Sequence, residues 1–293
     1  MGSPPITIVH ISDLHFGGYA DLAQIEALDE FLPTLGAAAT VLSGDLSQRA
    51  RHGEFQAAHA FLRRLREHMP VLVVPGNHDI EWWKSPLGLF GEAVKYAKYA
   101  RYFGDLSPVL EIPGAIIAGA LSSYGVAFGS LTWNLRDVAV KGHLPAAETT
   151  RIAAVFSQAP PGAVRILAVH HNVLPGGLSR RQGLANWRSA WRRLLATHAD
   201  VVLCGHDHHE GAGQIEGTLA VSTSGTHSFR TRGGRPSVFN LVTIDERAVQ
   251  IQHFRWESGG RRFLKSDTTT FARPAAPRVT VSVAGGEGEP GGE

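Results

Sequence analysis

The sequence carries no internal repeat, but one local pattern recurs along it and limits the folds open to it. A short apolar, β-branched run leads directly into a polar loop that carries histidine, aspartate or asparagine. Thr7 to Ile11 enters Ser12-Asp13-Leu14-His15, Thr40 to Leu42 enters Ser43-Gly44-Asp45, and Val71 to Val74 enters Pro75-Gly76-Asn77-His78-Asp79. Val164 to Val169 enters His170-His171-Asn172, and Val201 to Cys204 enters Gly205-His206-Asp207-His208-His209. Runs this short and β-branched predict buried strands. Stripes at helical spacing separate them: Leu22, Ile25, Leu28 and Leu32, then Phe55, Ala58, Leu62 and Leu65, then Ala146 to Ser157, then Trp187, Trp191 and Leu194. Trp82 to Tyr102 predicts a helix in its second half, and Ala115 to Leu121 a further strand. Strands alternating with helices predict an α/β fold, in which loops at the carboxyl ends of strands bind ligands. After His209 the pattern changes. Gln214 to Glu216, Thr218 to Ser222, Val238 to Ile244 and Val249 to Phe254 read as consecutive strands with short turns, hence antiparallel pairing.

The five loops concentrate one kind of chemistry. Asp13 and His15 are two residues apart, as are His206 and His208. On an extended strand end such residues project to one side. Carboxylate, imidazole and amide oxygen without thiolate form a hard-to-borderline donor set, suited to Mn, Fe, Zn or Co. The set is too large for one tetrahedral zinc and suits two ions, with a carboxylate able to bridge them. Two ions about 3.5–4 Å apart form a clamp for displacement at phosphorus. The single cysteine, Cys204, excludes an internal disulfide framework and a multi-cysteine zinc site. It reads as a small buried hydrophobe.

In type and order these blocks (Asp-x-His, Gly-Asp, Gly-Asn-His-Asp, a His after a strand, Gly-His-x-His) resemble the calcineurin-like metallophosphoesterase family over roughly residues 6 to 256. Within it, "HISDLHFG", "RYFGDLSPVLEIPG" and "VVLCGHDHH" are most similar to bacterial proteins like the class III cyclic-nucleotide phosphodiesterases. The resemblance implies a four-layer αββα sandwich, two mixed β-sheets flanked by helices, with metals at strand ends. It implies that Asp13, His15 and His208 bind one divalent metal, that Asn77, His170 and His206 bind a second, and that Asp45 bridges them. Mn, Fe or Zn leads, with Co and Ni also compatible. His78 is then a catalytic residue that meets the substrate phosphate, and Asp79 orients it through a hydrogen bond. A hydroxide held between the ions would attack phosphorus in line, with no phospho-enzyme. The implied activity is hydrolysis of phosphodiesters in a small substrate, cyclic or small nucleotides first. The alternatives are a monoesterase, a glycerophosphodiester or lipid-headgroup hydrolase, a nuclease, and a non-catalytic scaffold.

Other residues admit plainer readings. His171 either donates an outer hydrogen bond or competes with His170 as a ligand. His10 lies in the first strand facing the core. His227 follows a strand end near the candidate site. Gly44, Gly76 and Gly205 precede ligands and allow either close backbone approach or simple turns. Trp82 and Trp83 either wall a pocket that stacks a base or pack a loop on the core. Arg230, Arg232 and Arg235 lie in a Gly-rich turn that could touch a phosphate. Arg180, Arg181, Arg188, Arg192 and Arg193 read as a solvated helix face rather than a nucleic-acid groove, because 28 Lys+Arg against 26 Asp+Glu leave a net charge of only +2. No apolar run approaches the roughly 18 residues of a membrane span. The N-terminus lacks a secretory-signal pattern, so cytoplasmic residence is the expectation. Residues 1–272 form the expected metallophosphoesterase domain. Residues 273–293, rich in Gly, Pro and Glu, are expected to be a disordered tail.

Overall fold

A computed structural model describes residues 4–126, 140–175 and 183–273. The expected tail from 274 onward, and Arg180 and Arg181, lie outside the described residues. Twelve strands form two six-stranded sheets. The first sheet holds β1 (Ile6–Ile11), β2 (Ala39–Leu42), β3 (Val71–Val73), β10 (Val238–Ile244), β11 (Ala248–Glu257) and β12 (Arg262–Ala272), in the order β12-β11-β10-β1-β2-β3. The second holds β4 (Val109–Ile112), β5 (Ala115–Ala120), β6 (Val164–Val169), β7 (Val201–Cys204), β8 (Gly211–Ile215) and β9 (Leu219–Thr223), in the order β4-β5-β6-β7-β9-β8. Each sheet is mixed. β1, β2 and β3 run parallel, as do β5, β6, β7 and β9, while the remaining neighbours pair antiparallel.

Strand alternation generates the layers. In β1, Ile8 points into the space between the sheets, whereas Val9 and Ile11 point outward. In β6, Ile166 and Ala168 face the same inter-sheet core and Leu167 and Val169 face away. The outward face of the first sheet is covered by α1 (Leu22–Phe31), α2 (His52–Arg66) and α3 (Glu92–Phe103), through Ile25, Leu28, Phe55, Phe61, Leu62 and Tyr99. The outward face of the second is covered by α4 (Ala146–Ser157) and α5 (Trp187–Leu195), through Ile152, Phe156, Ala190 and Leu194. The result is the expected αββα sandwich. No helix among the described residues is long and apolar enough to cross a membrane.

Two features depart from the sequence reading. The strands β4 and β12 were not expected. Both are sheet edges, and their half-exposed sequences, VLEI and RFLKSDTTTFA, lack the continuous apolar pattern of the inner strands. The late strands are also not one antiparallel series. β8 pairs with β9, and β10 with β11, but the chain changes sheets between β9 and β10. That crossover places the β9–β10 loop over the ends of β1 and β7.

An aromatic cluster closes the first sheet beneath α1. The ring of Phe239 stacks on Phe254, with centroids 4.9 Å apart, and meets Phe31 and Phe263 edge-on. Phe239→Ala is expected to cost about 3–5 kcal/mol of stability, read as a lower urea midpoint at unchanged slope. A change under about 1 kcal/mol would show that this cluster does not anchor the sheet.

Candidate metal centre

The loops after β1, β2, β3, β6 and β7 meet at one end of the sandwich. Backbone hydrogen bonds carry strand pairing past the strands: the Asp13 amide donates to Gly44 O, the His15 amide to Asp45 O and the Gly205 amide to His170 O. The expectation that Asp13/His15 and His206/His208 converge through extended backbone is not met. Asp13, His15, Asp45, His206 and His208 all lie past strand ends in left-handed conformation, with φ of 56°, 47°, 52°, 74° and 59°. Non-glycine residues rarely adopt this region, and such strain collects at functional sites. His206 and His208 reach two different groups of side chains. The loops are also packed tightly on each other. A Cβ on Gly76 would collide with the Asp45 carboxylate, and one on Gly205 with Ser12 Oγ and Asp13 Oδ2.

Asp13, His15, Asp45 and His208 bring ligand-capable atoms within 4.8 Å of one another, all buried. The Nε2 atoms of His15 and His208 are 3.1 Å apart, and Asp13 Oδ1 lies 3.7 Å and 3.3 Å from them. Beside this group, Asn77 Oδ1 is 3.0 Å from His170 Nε2 and 3.1 Å from His206 Nδ1, and those two nitrogens are 3.3 Å apart. Asp45 Oδ2 stands between the groups, 3.8 Å from His15 Nε2 and 3.5 Å from His170 Nε2. An ion with bonds of about 2.0–2.2 Å has ligand–ligand edges of roughly 2.8–3.6 Å, close to these separations. Asp13 Oδ1 and His15 Nδ1 are buried without a protein hydrogen bond. On these observations the residues fit a pair of divalent cations.

The protonation states agree. Burial pushes the His15 imidazole down to about 3 and drives His206 well below its ordinary value. Burial opposes ionisation of Asp13 and Asp45, but neighbouring histidines prevail and hold both carboxyls below the usual range. Neutral imidazoles and ionised carboxylates are the forms that bind metal. His170 is raised: burial lowers it, and Asp45 and Asp13 outweigh that. A cation is therefore favoured at this point. The histidines are aimed from behind, as metal-binding imidazoles usually are. His170 Nδ1–H donates to Ser43 O at 2.8 Å and His208 Nδ1–H to Arg230 O at 2.7 Å, so each turns its Nε2 lone pair inward.

A ring nitrogen of His171 lies within 4.8 Å of ring nitrogens of His170 and His206, but both of its nitrogens are hydrogen-bonded. Its Nε2–H donates to Val140 O, and its Nδ1 accepts from Ser122 Oγ. His10 bridges the sheets between Ser43 and Ser222. His227 is buried against Phe263, with neither ring nitrogen hydrogen-bonded. Burial pushes the Cys204 thiol up to about 12, which leaves it protonated.

His78 is half-buried at the edge of the first group, its ring 5.0 Å from that of His15. Asp79 does not orient it, contrary to the sequence reading. Asp79 Oδ1 accepts from the Ser47 amide and hydroxyl, and Oδ2 from the Leu46 and Gly76 amides. It ties the β2 loop to the β3 loop. Burial and nearby Asp45 raise its carboxyl to about 6 against the pull of those amides. The His78 ring is oriented instead by Gln48, whose backbone carbonyl accepts from Nδ1–H at 2.8 Å. Gln48 was missed in the sequence, where its only signal is its place three residues after Asp45. Beside Asn77 and His78 opens a cleft of about 630 Å³, walled by Trp82, Trp83, Arg49 and Arg51. Trp82 packs against the Ile80–Tyr96–Leu121 cluster, while Trp83 is half exposed at 50%. A larger cleft of about 890 Å³ lies at the opposite strand ends among Ile6, Ile112 and Val164, far from this chemistry.

The family model for calcineurin-like phosphoesterases matches residues 6–210. No curated protein matches the sequence. Among solved structures, a dimetal phosphatase from Danio rerio is similar with a TM-score of 0.61 at 13% identity, covering 93% of this chain and 100% of that one. A purple acid phosphatase from yellow lupin (Lupinus luteus) gives 0.65 at 12%, covering 96% of this chain and 57% of that one. GAP50, the anchor in the inner membrane complex of Plasmodium, gives 0.54 at 11%, covering 93% and 90%. At such identities these likenesses show a common fold. The family match, with the αββα sandwich and the clustered His and Asp side chains it requires, places this chain in the calcineurin-like phosphoesterase family.

Proposed function

We propose that the chain is a binuclear metal-dependent phosphodiesterase acting on small nucleotide esters, cyclic nucleotides first. In this reading Asp13, His15 and His208 hold one divalent ion, Asn77, His170 and His206 hold the second, and Asp45 is shared. Mn, Fe and Zn suit these donors best, and Co and Ni are compatible. The observation that carries the reading is the position of Asp45 Oδ2, within 3.8 Å of a ring nitrogen in each group. When bound, such ions polarise the phosphoryl oxygens and make a water more acidic.

The chain's own residues do the rest. His78, whose Nδ1–H donates to Gln48 O, turns Nε2 toward the site, where it accepts from Arg230 Nη1–H. Released from Arg230 and protonated at Nε2, it can stabilise charge on a non-bridging oxygen or protonate the departing ester oxygen. Asp79 keeps the Asp45 and Asn77 loops in register through four hydrogen bonds. The cleft beside His78 lies in the size range of small-molecule sites. The exposed Trp83 face offers a stacking surface for a nucleobase, which favours nucleotides over glycerol or lipid headgroups. One buried, unpaired cysteine suits a cytoplasmic, reducing compartment.

Asp45→Ala and Asn77→Ala are expected to reduce turnover to background and lower the metal content measured by elemental analysis. His78→Ala should slow turnover about 100-fold while both metals remain. Full activity in His78→Ala would remove its assigned role. On metal-loaded protein, bis-p-nitrophenyl phosphate should be hydrolysed faster than p-nitrophenyl phosphate, and the reverse order would favour a monoesterase. Trp83→Ala should raise KM for cyclic nucleotides about 10-fold with little effect on bis-p-nitrophenyl phosphate. An equal effect on both would argue against base stacking.

A further inference from the structure

We propose that Arg230 is a catalytic residue that grips the phosphoryl oxygens of the substrate beside His78, an inference that rests on the phosphoesterase reading above. The β9–β10 turn contains Arg230, Arg232 and Arg235, and the fold uses them differently. Arg235 is exposed and pairs with Glu210 at 3.7 Å. Arg232 is exposed. Arg230 is half-buried and turned inward. Its Nη1–H donates toward His78 Nε2 at 3.2 Å and Gln48 Oε1 at 3.3 Å, and its guanidinium lies over the Tyr19 ring at 5.6 Å.

None of these partners is a carboxylate, and among the described residues Arg230 makes no ion pair. A guanidinium carries its charge at every physiological pH. Held against His78, Gln48 and Tyr19 beside a candidate cation site, it lacks an anionic partner among the described residues. A ligand can supply one here, and the anion that suits a phosphoesterase site is the phosphate ester. The planar fork of N–H donors can keep its hold on Gln48 and still address two phosphoryl oxygens. Lysine, with a compact ammonium, cannot reproduce that pattern.

The backbone is braced for the task. Thr226 Oγ1 and the His227 amide both donate to Asp13 O, at 2.7 and 3.2 Å. The Arg230 amide donates to Ser228 Oγ, and the Phe229 amide to Tyr19 O. The Arg230 carbonyl accepts from His208 Nδ1–H. One residue therefore fixes a candidate metal ligand through its main chain and reaches the substrate-facing histidine through its side chain. A side-chain substitution leaves the carbonyl in place, so the two roles can be separated.

The test compares wild type, Arg230→Gln, Arg230→Lys and the loop control Arg235→Gln, all with quantified metal. Bis-p-nitrophenyl phosphate reports turnover, and calorimetry with inorganic phosphate reports binding. Arg230→Gln should keep its metals, lose about 100-fold in kcat/KM and bind phosphate about 10-fold more weakly. Arg230→Lys should recover part of each loss, and Arg235→Gln should match wild type. Arg230→Gln with wild-type kcat/KM and phosphate affinity would overturn the assignment. So would loss of metal in that variant, which would place the effect at His208. If wild type itself hydrolyses no phosphoester, the functional reading fails, while phosphate binding still decides the role of Arg230.

Discussion

Asp13 and Asp45 are buried carboxylates whose ion-pair partners are histidines, and the site follows from that arrangement. Burying an ionised carboxylate costs several kcal/mol unless a positive charge or a full set of donors offsets it. Burial keeps the His15 imidazole neutral, so that partner cannot supply the charge. The donors around Asp45 Oδ2 thus form a place where positive charge is missing, and His170, whose affinity for a proton is raised there, marks it. Arg230 stands nearby but faces His78 rather than either carboxylate. On the proposed reading, the space among the carboxylates takes ions and the space beside His78 takes an anion.

Holding such a site together demands rigidity that the sheets supply. Left-handed backbone at five of the candidate ligand positions persists because neighbouring strands and loops dictate it. Polar connections run inward from the loops. Ser43 O accepts from both Ser12 Oγ and His170 Nδ1–H, and the Ser43 hydroxyl meets His10. His10 continues to Ser222, which accepts from Asn240, and Asn240 meets His253 on β11. Buried chains of this kind contribute specificity when every member is satisfied. This chain links both sheets to the second-strand loop that carries Asp45. The glycines beside the ligands let these loops touch directly.

The sequence revealed what is periodic and what is chemically concentrated. Inner strands such as β6, continuous in apolar residues, were legible, and so were the five polar blocks, because donors of one chemical type recur at strand ends. The edges β4 and β12 were not, since one face of an edge strand needs no apolar residue. The change of sheet between β9 and β10 was hidden because hairpin spacing says nothing about which partner a strand selects. Local geometry was harder still. Asp-x-His reads as extended, yet Asp13 and His15 are left-handed, with their amides bonded to Gly44 O and Asp45 O of the adjacent loop. The family resemblance implies that Asp79 orients His78, but three donors from the β2 loop and one from its own loop claim its carboxylate. Gln48 meets His78 through a contact distant in sequence, which no spacing could disclose. Arg230 was legible only as one of three arginines in a Gly-rich turn, and the fold alone singles it out.

The central claim is that two cations share Asp45. Crystals of the protein grown with manganese, with diffraction collected at the manganese absorption edge, test it directly. The account predicts two anomalous peaks about 3.5–4 Å apart, one among Asp13, His15 and His208 and one among Asn77, His170 and His206, with the Asp45 carboxylate between them. A single peak, or two that do not share Asp45, would contradict it.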